Sequence, residues 1–493
     1  DQPQNVSPLP GETVDPRNVT LRATPFSDSN GDGHAYSRWQ LRLLHADYDT
    51  PEFDEISSTR LEAFAVDADM LEHGQYYAWR VRYVDAQRNA SAWSQETTFT
   101  TAIPPDPPDD RVVICAGGGD YAGNAIVEQT RSLAAYAWRL SRNRRISEER
   151  VRLLSAFDWI DADGDHRNDV DQTLTRTTLF DALDPASEFT SSTKLIVYLI
   201  DHGSRTLDPA QWYFKLNGTQ VVTATELDAA LDALQAARPD LTVILVCDFC
   251  YSGGFVMGCQ ADAGQSRVCI SGSTDESLAV FMNSTATVSF SNFFFAGLHI
   301  SAAFNNARNA ILAVYSGPPS HPLQIPWLED NGLPGISDKY DGELARTLYW
   351  GGPEGYGMTP PQIASVSTCM THATDDGPLP IVAEIVAGHV IERVWATVVR
   401  PDTIYADGEP ITAMQQIELR LLETAESIAA EIGSETLVYA GALADFPVGG
   451  EYVITVFARG HDGDPQFTMT SNPRKIEVLI ETPAAARYWP LYP

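Results

Sequence analysis

The sequence predicts a multidomain protein in which a central α/β domain, with a mostly parallel sheet and helices on both faces, lies between two all-β sandwich domains. Short runs of alternating polar and apolar residues occur on both flanks, as at Tyr76–Tyr83 and Glu451–Ala458, and such alternation indicates half-buried strands. The middle of the chain instead carries continuous apolar runs separated by helix-periodic segments, which is typical of buried parallel strands. At 493 residues, the chain has room for about three domains.

Residues 1–102 form the first predicted β-sandwich, because short strand-like runs alternate there with turn-rich segments. Leu71, Gly74 and Tyr77 have a spacing that resembles the tyrosine corner of fibronectin type III domains. The resemblance implies a fibronectin type III-like domain, a module whose usual role is spacing or adhesion. The Pro-rich segment 103–110 predicts a stiff, extended linker after this domain.

Residues 111–357 form the predicted α/β domain. Thr223 and Glu226 have the spacing of a capping box at the start of a helix. Since strands and helices alternate here, we expect a parallel sheet. The predicted elements that matter most are the buried strands Arg111–Ala116, Lys194–Ile200 and Leu241–Val246, and a helix over Asn124–Arg142.

Residues 358–486 return to strand-like alternation and predict a second, immunoglobulin-like β-sandwich, followed by a short tail at 487–493. The segment Glu384–Val399 has mixed alternation. The segment Gln416–Ala430 fits either a helix or a pair of charged strands, so the sequence leaves its structure open.

The charge balance excludes one large class of partner. The chain has 66 acidic and 33 basic side chains, for a formal net charge of −33. Such a field repels phosphate backbones, so we expect no nucleic-acid partner. It suits cationic substrates, calcium ions, or the acidic surface of an exported protein. No run approaches the roughly 18 apolar residues that a membrane span requires, so we expect no membrane insertion.

Cysteine usage and the first residue bear on the compartment. Six Cys in a chain of this length are too few and too irregular for a disulfide scaffold. The sequence starts at Asp1 rather than Met, which is consistent with a removed signal peptide. We therefore expect an exported bacterial protein that is periplasmic, cell-surface or extracellular.

Reactive residues follow two of the strongest predicted strands. Lys194–Ile200 runs into Asp201-His202-Gly203, and Leu241–Val246 runs into Cys247-Asp248-Phe249-Cys250. In an open α/β sheet, ligands bind outside the carboxyl ends of the strands. If the two strands are neighbours, an imidazole and a thiol come together there, which is the arrangement that thiol catalysis requires.

The spacing of these two blocks resembles that of caspase-like cysteine peptidases, the clan of caspases, legumain, gingipains and separase. His202 and Cys250 are 48 positions apart, close to the roughly 50 of caspases. Asp201-His202-Gly203-Ser204 is most similar to the legumain form of the first block. The resemblance covers about 250 residues and implies a cysteine endopeptidase with a caspase-like central domain.

The resemblance implies a role for each residue of the two blocks. Cys250 is the nucleophile, His202 is the general base and acid, and the backbone N–H groups of Gly203 and Cys250 form the oxyanion hole. Catalysis requires no cofactor, and the substrate is a protein or peptide. The two sandwiches are expected to position the enzyme at a surface or on a protein partner.

Substrate preference is a less direct inference. Asp201 and Asp248 are close in sequence to His202 and Cys250, so they are candidates for binding a basic side chain before the scissile bond. The legumain-like block also fits cleavage after Asn. Both Asp residues equally fit a supporting role, as caps or hydrogen-bonded supports of the two loops.

Two other functions stay open at this point. One is an inactive surface adhesion or scaffold protein, in which the α/β domain has no catalysis. The other is a thiol-redox protein that uses the Cys247–Cys250 pair. Strand alternation argues against the second, because it places Cys247 on the same side as Phe249 and opposite to Cys250, so we predict Cys247 to be a core residue.

A run of alternating acidic residues is the second candidate site. A turn containing Gly164 carries Asp161, Asp163, Asp165 and Asp169. Such spacing brings several carboxylates within reach of one cation, and calcium prefers six to eight oxygen ligands. The spacing differs from that of an EF-hand, so a structural calcium ion and a set of solvated Asx turns are equally compatible with it.

Overall fold

The computed structural model of the chain separates into two compact units. The first is formed within residues 1–108, 297–303 and 342–357, and the second comprises the rest of the chain. The predicted linker and tail lie almost wholly outside the described residues. These are 1–16, 19–44, 46–49, 51–66, 70–71, 75–102, 110–187, 192–207, 210–281, 289–297, 299–314, 323–332, 341–351, 360–367, 371–386, 390–403, 405–406, 409–410, 415–422, 436–461 and 468–481.

The N-terminal domain is built from two small sheets that share one apolar core. A three-stranded sheet has the order β1-β3-β6 and a five-stranded sheet has the order β2-β8-β7-β4-β5. Leu21 and Phe64 from the first sheet pack with Trp39, Trp79 and Phe99 from the second. The strands are β1 (Asn5–Ser7), β2 (Thr13–Val14), β3 (Thr20–Ala23), β4 (His34–Leu43), β5 (Phe53–Ser57), β6 (Ala63–Ala65), β7 (Tyr76–Asp85) and β8 (Thr97–Thr101).

The second unit begins with α/β structure, as the alternation of apolar runs and helical periods predicts. Short 3₁₀ helices occur at Glu148–Arg150 and, in the first unit, at Ala345–Thr347. The elements are β9 (Asp110–Ala116), α1 (Val127–Asn143), β10 (Val151–Ser155), β11 (Gln172–Thr173), α2 (Arg176–Ala182), β12 (Lys194–Ile200), β13 (Gly203–Leu207), β14 (Ala210–Lys215), β15 (Val221–Thr223), α3 (Ala224–Ala237), β16 (Thr242–Asp248), α4 (Gly253–Gly258), β17 (Ser266–Ser271), α5 (Phe290–Phe295), α6 (Ile300–Val314) and β18 (Trp327–Glu329).

A seven-stranded sheet forms the centre of this region, in the order β11-β10-β9-β12-β16-β17-β18. All neighbouring pairs are parallel except the last, in which β18 runs antiparallel to β17. The strands β9, β12 and β16 are buried almost throughout, since both of their faces are covered. The prediction of a mostly parallel sheet is confirmed.

Helices cover both faces of the central sheet. On one face, Leu227 and Leu231 of α3 pack in one core with Leu199 of β12 and Leu245 of β16. On the other face, the ring of Phe295 in α5 contacts Tyr198 of β12 at a centroid distance of 5.2 Å. The capping box at the start of α3 is also confirmed, because the side chains and backbones of Thr223 and Glu226 bond reciprocally.

The C-terminal domain is all-β. Its main sheet has the order β19-β21-β26-β25-β22-β27-β29-β20, with β28 paired to β27, around one core. The strands are β19 (Gln362–Val366), β20 (Thr371–Ala373), β21 (Leu379–Val386), β22 (Val390–Val399), β23 (Tyr405–Ala406), β24 (Glu409–Pro410), β25 (Gln415–Leu421), β26 (Thr436–Leu443), β27 (Gly450–His461), β28 (Thr468–Thr470) and β29 (Arg474–Glu481).

Two details of this domain refine the sequence interpretation. The mixed alternation of Glu384–Val399 arises because the segment contains the end of β21 and all of β22. The open segment Gln416–Ala430 starts as strand β25, and its part beyond residue 422 lies outside the described residues. Among the described helices, none has the length and apolarity to cross a bilayer.

Within the second unit, helix α1 joins the α/β region to the C-terminal domain. Asn143 and Thr470 exchange two hydrogen bonds of 3.0 Å. Lys475 forms an ion pair of 2.9 Å with Glu128 near the start of the same helix. The C-terminal domain is therefore fixed along helix α1. The N-terminal end of this helix lies beside the His202 loop.

Candidate active site

His202 and Cys250 lie at equivalent places on neighbouring strands. In the parallel pair of β12 and β16, Ile200 lies opposite Asp248. His202 and Cys250 each follow these partners by two residues, at the carboxyl edge of the sheet. Neighbouring strands are about 4.8 Å apart, so the fold brings the two loops together as the sequence predicts. Both side chains are only partly buried.

Gly203 shows how closely the two loops approach. A Cβ atom at this position would lie 2.5 Å from the carbonyl oxygen of Cys250 and would overlap the ring of Phe249. No real side chain tolerates such a contact with a backbone atom. The loop after His202 therefore reaches the loop of Cys250 only because residue 203 is glycine.

Backbone strain is concentrated at the same place. Asp201, immediately before His202, has φ = 151°, and Tyr251, immediately after Cys250, has φ = 64°. Only three other non-glycine residues of the described chain have positive φ. Such conformations cost about 1–3 kcal/mol each and occur preferentially at functional sites. The strain indicates that both loops are held by their surroundings in one required geometry.

Asn124 is a third side chain at this site, and sequence reasoning missed it. Its Oδ1 lies 3.0 Å from Nε2 of His202, although the two residues are 78 positions apart. Its orientation is fixed, because Nδ2 donates to the Gly119 carbonyl at 2.9 Å and Oδ1 also accepts from the N–H of Ile126 at 3.1 Å. No local motif marks Asn124; the nearest sequence signal is the Gly-rich turn at residues 117–119, between β9 and Asn124.

The contact with Asn124 sets the protonation pattern of the imidazole. An amide oxygen can only accept, so Nε2 of neutral His202 must carry the proton. Nδ1 is then the basic nitrogen. His202 is held further by its backbone, since the Lys215 N–H donates to its carbonyl at 2.9 Å.

The Cys250 thiol is held by the loop that follows β17. Its Sγ donates to the Ala279 carbonyl at 3.7 Å, and the N–H of Tyr251 donates to the Ser277 carbonyl at 2.9 Å. Burial raises the pKa of the Cys250 thiol, and the negative charges of Asp248 and Asp201 add to this shift. The resting side chain is therefore a neutral thiol, and its reaction requires a base.

Asp201 has a supporting role, which corrects its prediction as a substrate-binding residue. A substrate-binding carboxylate must be reached from solvent, but the Asp201 side chain is 0% exposed. It accepts hydrogen bonds from Thr130 Oγ1 at 2.7 Å and from the His202 N–H at 2.7 Å. It also lies against Gly118, where a Cβ atom would collide with the carboxylate. The residue fixes the His202 loop to helix α1.

Asp248 is likewise a buried support rather than part of a specificity pocket. It is 1% exposed, and its Oδ2 accepts from Ser291 Oγ at 2.6 Å and from the Ser291 N–H at 3.1 Å. Burial raises its pKa to about 6. The two carboxylates predicted to select substrate therefore hold the loops, which is the other role that the sequence left open for them.

Cys247 lies in the hydrophobic core, as strand alternation predicts. Its side chain is 0% exposed and packs in the same apolar cluster as Phe249. Burial raises its pKa well above that of a free thiol. Both Cys247 and Cys250 are free thiols.

The structure brings together three of the four acidic residues predicted to bind calcium. Ligand atoms of Asp161, Asp163 and Asp169 all lie within 4.8 Å of one another. Asp165 does not belong to this cluster; its carboxylate is near the exposed Arg167 guanidinium, at 3.8 Å. The alternative of Asx turns is also present, since Asp161 Oδ1 accepts from the N–H of Gly164 at 2.7 Å.

The electrostatics of this cluster favour a cation. Burial and the charge of Asp163 raise the pKa of Asp161 to about 7. Burial and the charges of Asp163 and Asp161 raise the pKa of Asp169 to about 8. Three hard carboxylates suit calcium. The tip of this loop also contacts the C-terminal domain, where Trp395 Nε1 donates to the Gly164 carbonyl at 2.8 Å.

Comparisons with known proteins identify one domain. The family described as "Rha78A-like, N-terminal immunoglobulin domain" matches residues 27–104. The N-terminal domain is therefore immunoglobulin-like. The match does not test the more specific assignment to fibronectin type III domains, which stays a prediction. No curated protein sequence matches the chain.

Similar solved structures resemble the chain only weakly. A β-1,2-glucanase from Parabacteroides distasonis is 13% identical over 30% of this chain and 16% of its own, with a TM-score of 0.16. A Streptomyces avermitilis α-L-rhamnosidase is 16% identical over 20% of this chain and 11% of its own, with a TM-score of 0.17. The cell-surface chitinase ChiW from Paenibacillus sp. str. FPU-7 is 10% identical over 97% and 51%, with a TM-score of 0.17. The chain thus spans only a small part of the first two proteins.

Proposed function

We propose that the chain is a cysteine endopeptidase whose central domain is caspase-like and whose dyad is Cys250 and His202. The observation that carries this proposal is the meeting of the two loops. Cys250 and His202 follow in-register positions of adjacent parallel strands, and Gly203 contacts the Cys250 backbone. The strained residues beside each of them and the Asn124 contact support it.

In the first half of the reaction, His202 Nδ1 takes the proton of the Cys250 thiol as sulfur bonds to the substrate carbonyl carbon. The carbonyl π electrons move to oxygen, and the N–H groups of Gly203 and Cys250 stabilise this oxyanion. The imidazolium then gives its proton to the amide nitrogen, the C–N bond breaks, and the amine leaves. A thioester to Cys250 remains.

In the second half, His202 takes a proton from water as the water oxygen bonds to the thioester carbon. The C–S bond breaks, the proton returns to sulfur, and the carboxylic acid is released. Asn124 stabilises the imidazolium through both halves, because its carbonyl oxygen accepts from Nε2. No step uses a cofactor.

The proposed substrate is a protein or peptide cleaved after a basic residue or after Asn. The net charge of −33 favours binding of a basic chain. Asp201 and Asp248 are buried and do not contribute to this preference directly. Export by a bacterium fits the acidic composition, and the sandwich domains suit attachment to a surface or a protein partner.

The experiment that tests this proposal is hydrolysis of fluorogenic peptides with Arg, Lys, Asn or Asp before the scissile bond. Turnover of the Arg, Lys or Asn peptide is expected. No turnover of any peptide, with or without calcium, would favour the scaffold alternative, which the N-terminal immunoglobulin-like match also fits. The redox alternative has less support, because Cys247 is buried in the core.

We predict that Asn124→Ala lowers kcat by roughly 10- to 100-fold and leaves KM nearly unchanged, because a hydrogen bond to a charged group contributes about 1.5–3 kcal/mol. The measurement is steady-state hydrolysis together with a thermal melt. Asn217→Ala is the matched control. Asn217 also fixes a loop, through a bond of 2.9 Å to the Leu174 carbonyl, but none of the described hydrogen bonds of its side chain involves His202. Equal kcat losses in both variants would contradict the positioning role of Asn124.

We further propose that Asp161, Asp163 and Asp169 hold a structural calcium ion. Without a cation, the raised pKa values of Asp161 and Asp169 mean that the folded state binds more protons than the unfolded state. The contribution of these groups to stability therefore falls as pH rises from about 4 towards 8. Calcium replaces the protons, so its stabilising effect increases over the same range.

The expected result is a calcium-dependent rise in Tm that is larger at pH 8 than at pH 5. At a calcium concentration of 100 times Kd, binding to the native state alone adds about 2.7 kcal/mol, or several degrees. Asp163→Asn should remove the contribution of this loop, whereas Asp165→Asn, outside the cluster, should keep it. A calcium shift that Asp163→Asn leaves intact at both pH values would exclude the loop as its site.

A further inference from the structure

Two further carboxyl groups, those of Glu329 on the edge strand of the central sheet and of Asp341, belong to neither of the sites described above. Glu329 is the last residue of β18 and lies opposite Cys269 of β17. Its side chain is 1% exposed. A carboxylate so deeply buried requires a partner of positive charge or a full set of hydrogen bonds.

Only one of the two carboxylate oxygens of Glu329 accepts hydrogen bonds from described residues. Its Oε1 accepts from the N–H groups of Asn331 at 3.1 Å and Gly332 at 2.7 Å. Its Oε2 is buried and accepts no hydrogen bond from any residue in the described part of the chain. Oε2 of Glu329 is therefore a buried carboxylate oxygen to which no described residue donates a hydrogen bond.

The carboxyl group of Asp341 approaches Glu329 from the other end of the same loop. Asn331 bonds to both carboxyl groups, and burial together with the charge of Asp341 raises the pKa of Glu329 to about 7. Asp341 Oδ1 accepts from Asn331 Nδ2 at 3.0 Å and from the N–H of Asp330 at 3.4 Å. Both acidic side chains thus bond to Asn331, which closely follows β18.

Two carboxylates in contact cannot both remain charged unless something positive lies between them. A shared proton and a bound metal cation are two ways to supply that charge. Carboxylate oxygens are hard ligands, and magnesium is commonly held by one or two carboxylates with water completing its shell, whereas calcium takes more oxygens. The Asn331 side chain lies beside the pair. If the positions of its amide nitrogen and oxygen are exchanged, its Oδ1 becomes a further ligand for a cation.

We propose that Glu329 and Asp341 form a binding site for a hard divalent cation, magnesium or calcium, at the edge of the central sheet. The unpartnered Oε2 of Glu329 is the ligand atom that points to it. This inference is independent of peptide hydrolysis.

The test is calorimetric titration of the full chain carrying Asp163→Asn, with calcium chloride and magnesium chloride in separate experiments. The substitution removes the contribution of the Asp161 loop. We expect one remaining site for at least one of the two ions. Adding Glu329→Gln, which keeps the size of the side chain, should weaken that binding at least tenfold. Asp341→Asn is the second variant, in case one of them folds poorly, and circular dichroism checks the fold.

Two results would overturn the proposal. In the first, the Asp163→Asn chain binds neither ion, and a rise in Tm on adding Glu329→Gln in EDTA then identifies a shared proton instead. In the second, Glu329→Gln and Asp341→Asn both leave binding unchanged. Because the readout is cation binding without substrate, a negative result here is distinguishable from an absence of peptidase activity.

Discussion

Cys250→Ala is expected to reduce peptide hydrolysis by at least about a thousandfold, to the level of the background reaction, because the substitution removes the proposed nucleophile. The fold should stay intact. Cys250 is only partly buried, and its one described side-chain hydrogen bond is the long contact to Ala279 at 3.7 Å. The thermal melt should therefore shift little while hydrolysis of the same fluorogenic peptides is lost.

Cys247→Ala is the matched control for this experiment. Cys247 is three residues before Cys250 and lies in the hydrophobic core, where it is 0% exposed. Loss of its side chain should therefore lower Tm but leave kcat unchanged. A thiol-redox protein gives the opposite pattern, since it needs both sulfurs. Hydrolysis retained by Cys250→Ala would show that the nucleophile has been assigned to the wrong residue.

The sequence predicts the part of this site that depends on local pattern. A continuous apolar run defines β12 at Lys194–Ile200 with the bounds that the structure has. The next strand, β16, extends to Asp248, beyond its predicted end at Val246, because its pairing with β12 continues as far as Ile200. Since parallel neighbours end at the same edge, the strands alone place the starts of the two loops side by side, and Gly203 then permits their close contact.

The sequence does not predict the parts that depend on distant packing. Asn124 meets His202 across 78 positions, and a lone Asn after a Gly-rich turn has many ordinary uses. The burial of Asp201 depends on Thr130 of helix α1, and that of Asp248 on Ser291 of helix α5. Nearness in sequence to a reactive residue therefore could not separate a substrate-binding carboxylate from a supporting one.

Gly203→Ala tests the geometry on which the peptidase proposal depends. The added Cβ would lie 2.5 Å from the Cys250 carbonyl oxygen and would overlap Phe249, so the His202 and Cys250 loops must move apart. We expect kcat/KM to fall by about 100-fold or more, because misplacement of reacting groups by 1 Å costs about that much. Strain in the core should also lower the free energy of unfolding by about 1–3 kcal/mol.

Gly218→Ala separates this effect from the general cost of replacing a glycine. Gly218 is in the same domain, and a Cβ atom there meets nothing within 4 Å, so its substitution should leave both activity and Tm nearly unchanged. Alkylation of Cys250 by iodoacetamide adds a direct readout of the thiol in both variants, and its rate should change only in Gly203→Ala. If Gly203→Ala instead hydrolyses peptides as well as Gly218→Ala does, the two loops do not meet in the working protein. The dyad of Cys250 and His202 would then have no structural basis, whatever the similarity of the two sequence blocks to caspase-like peptidases.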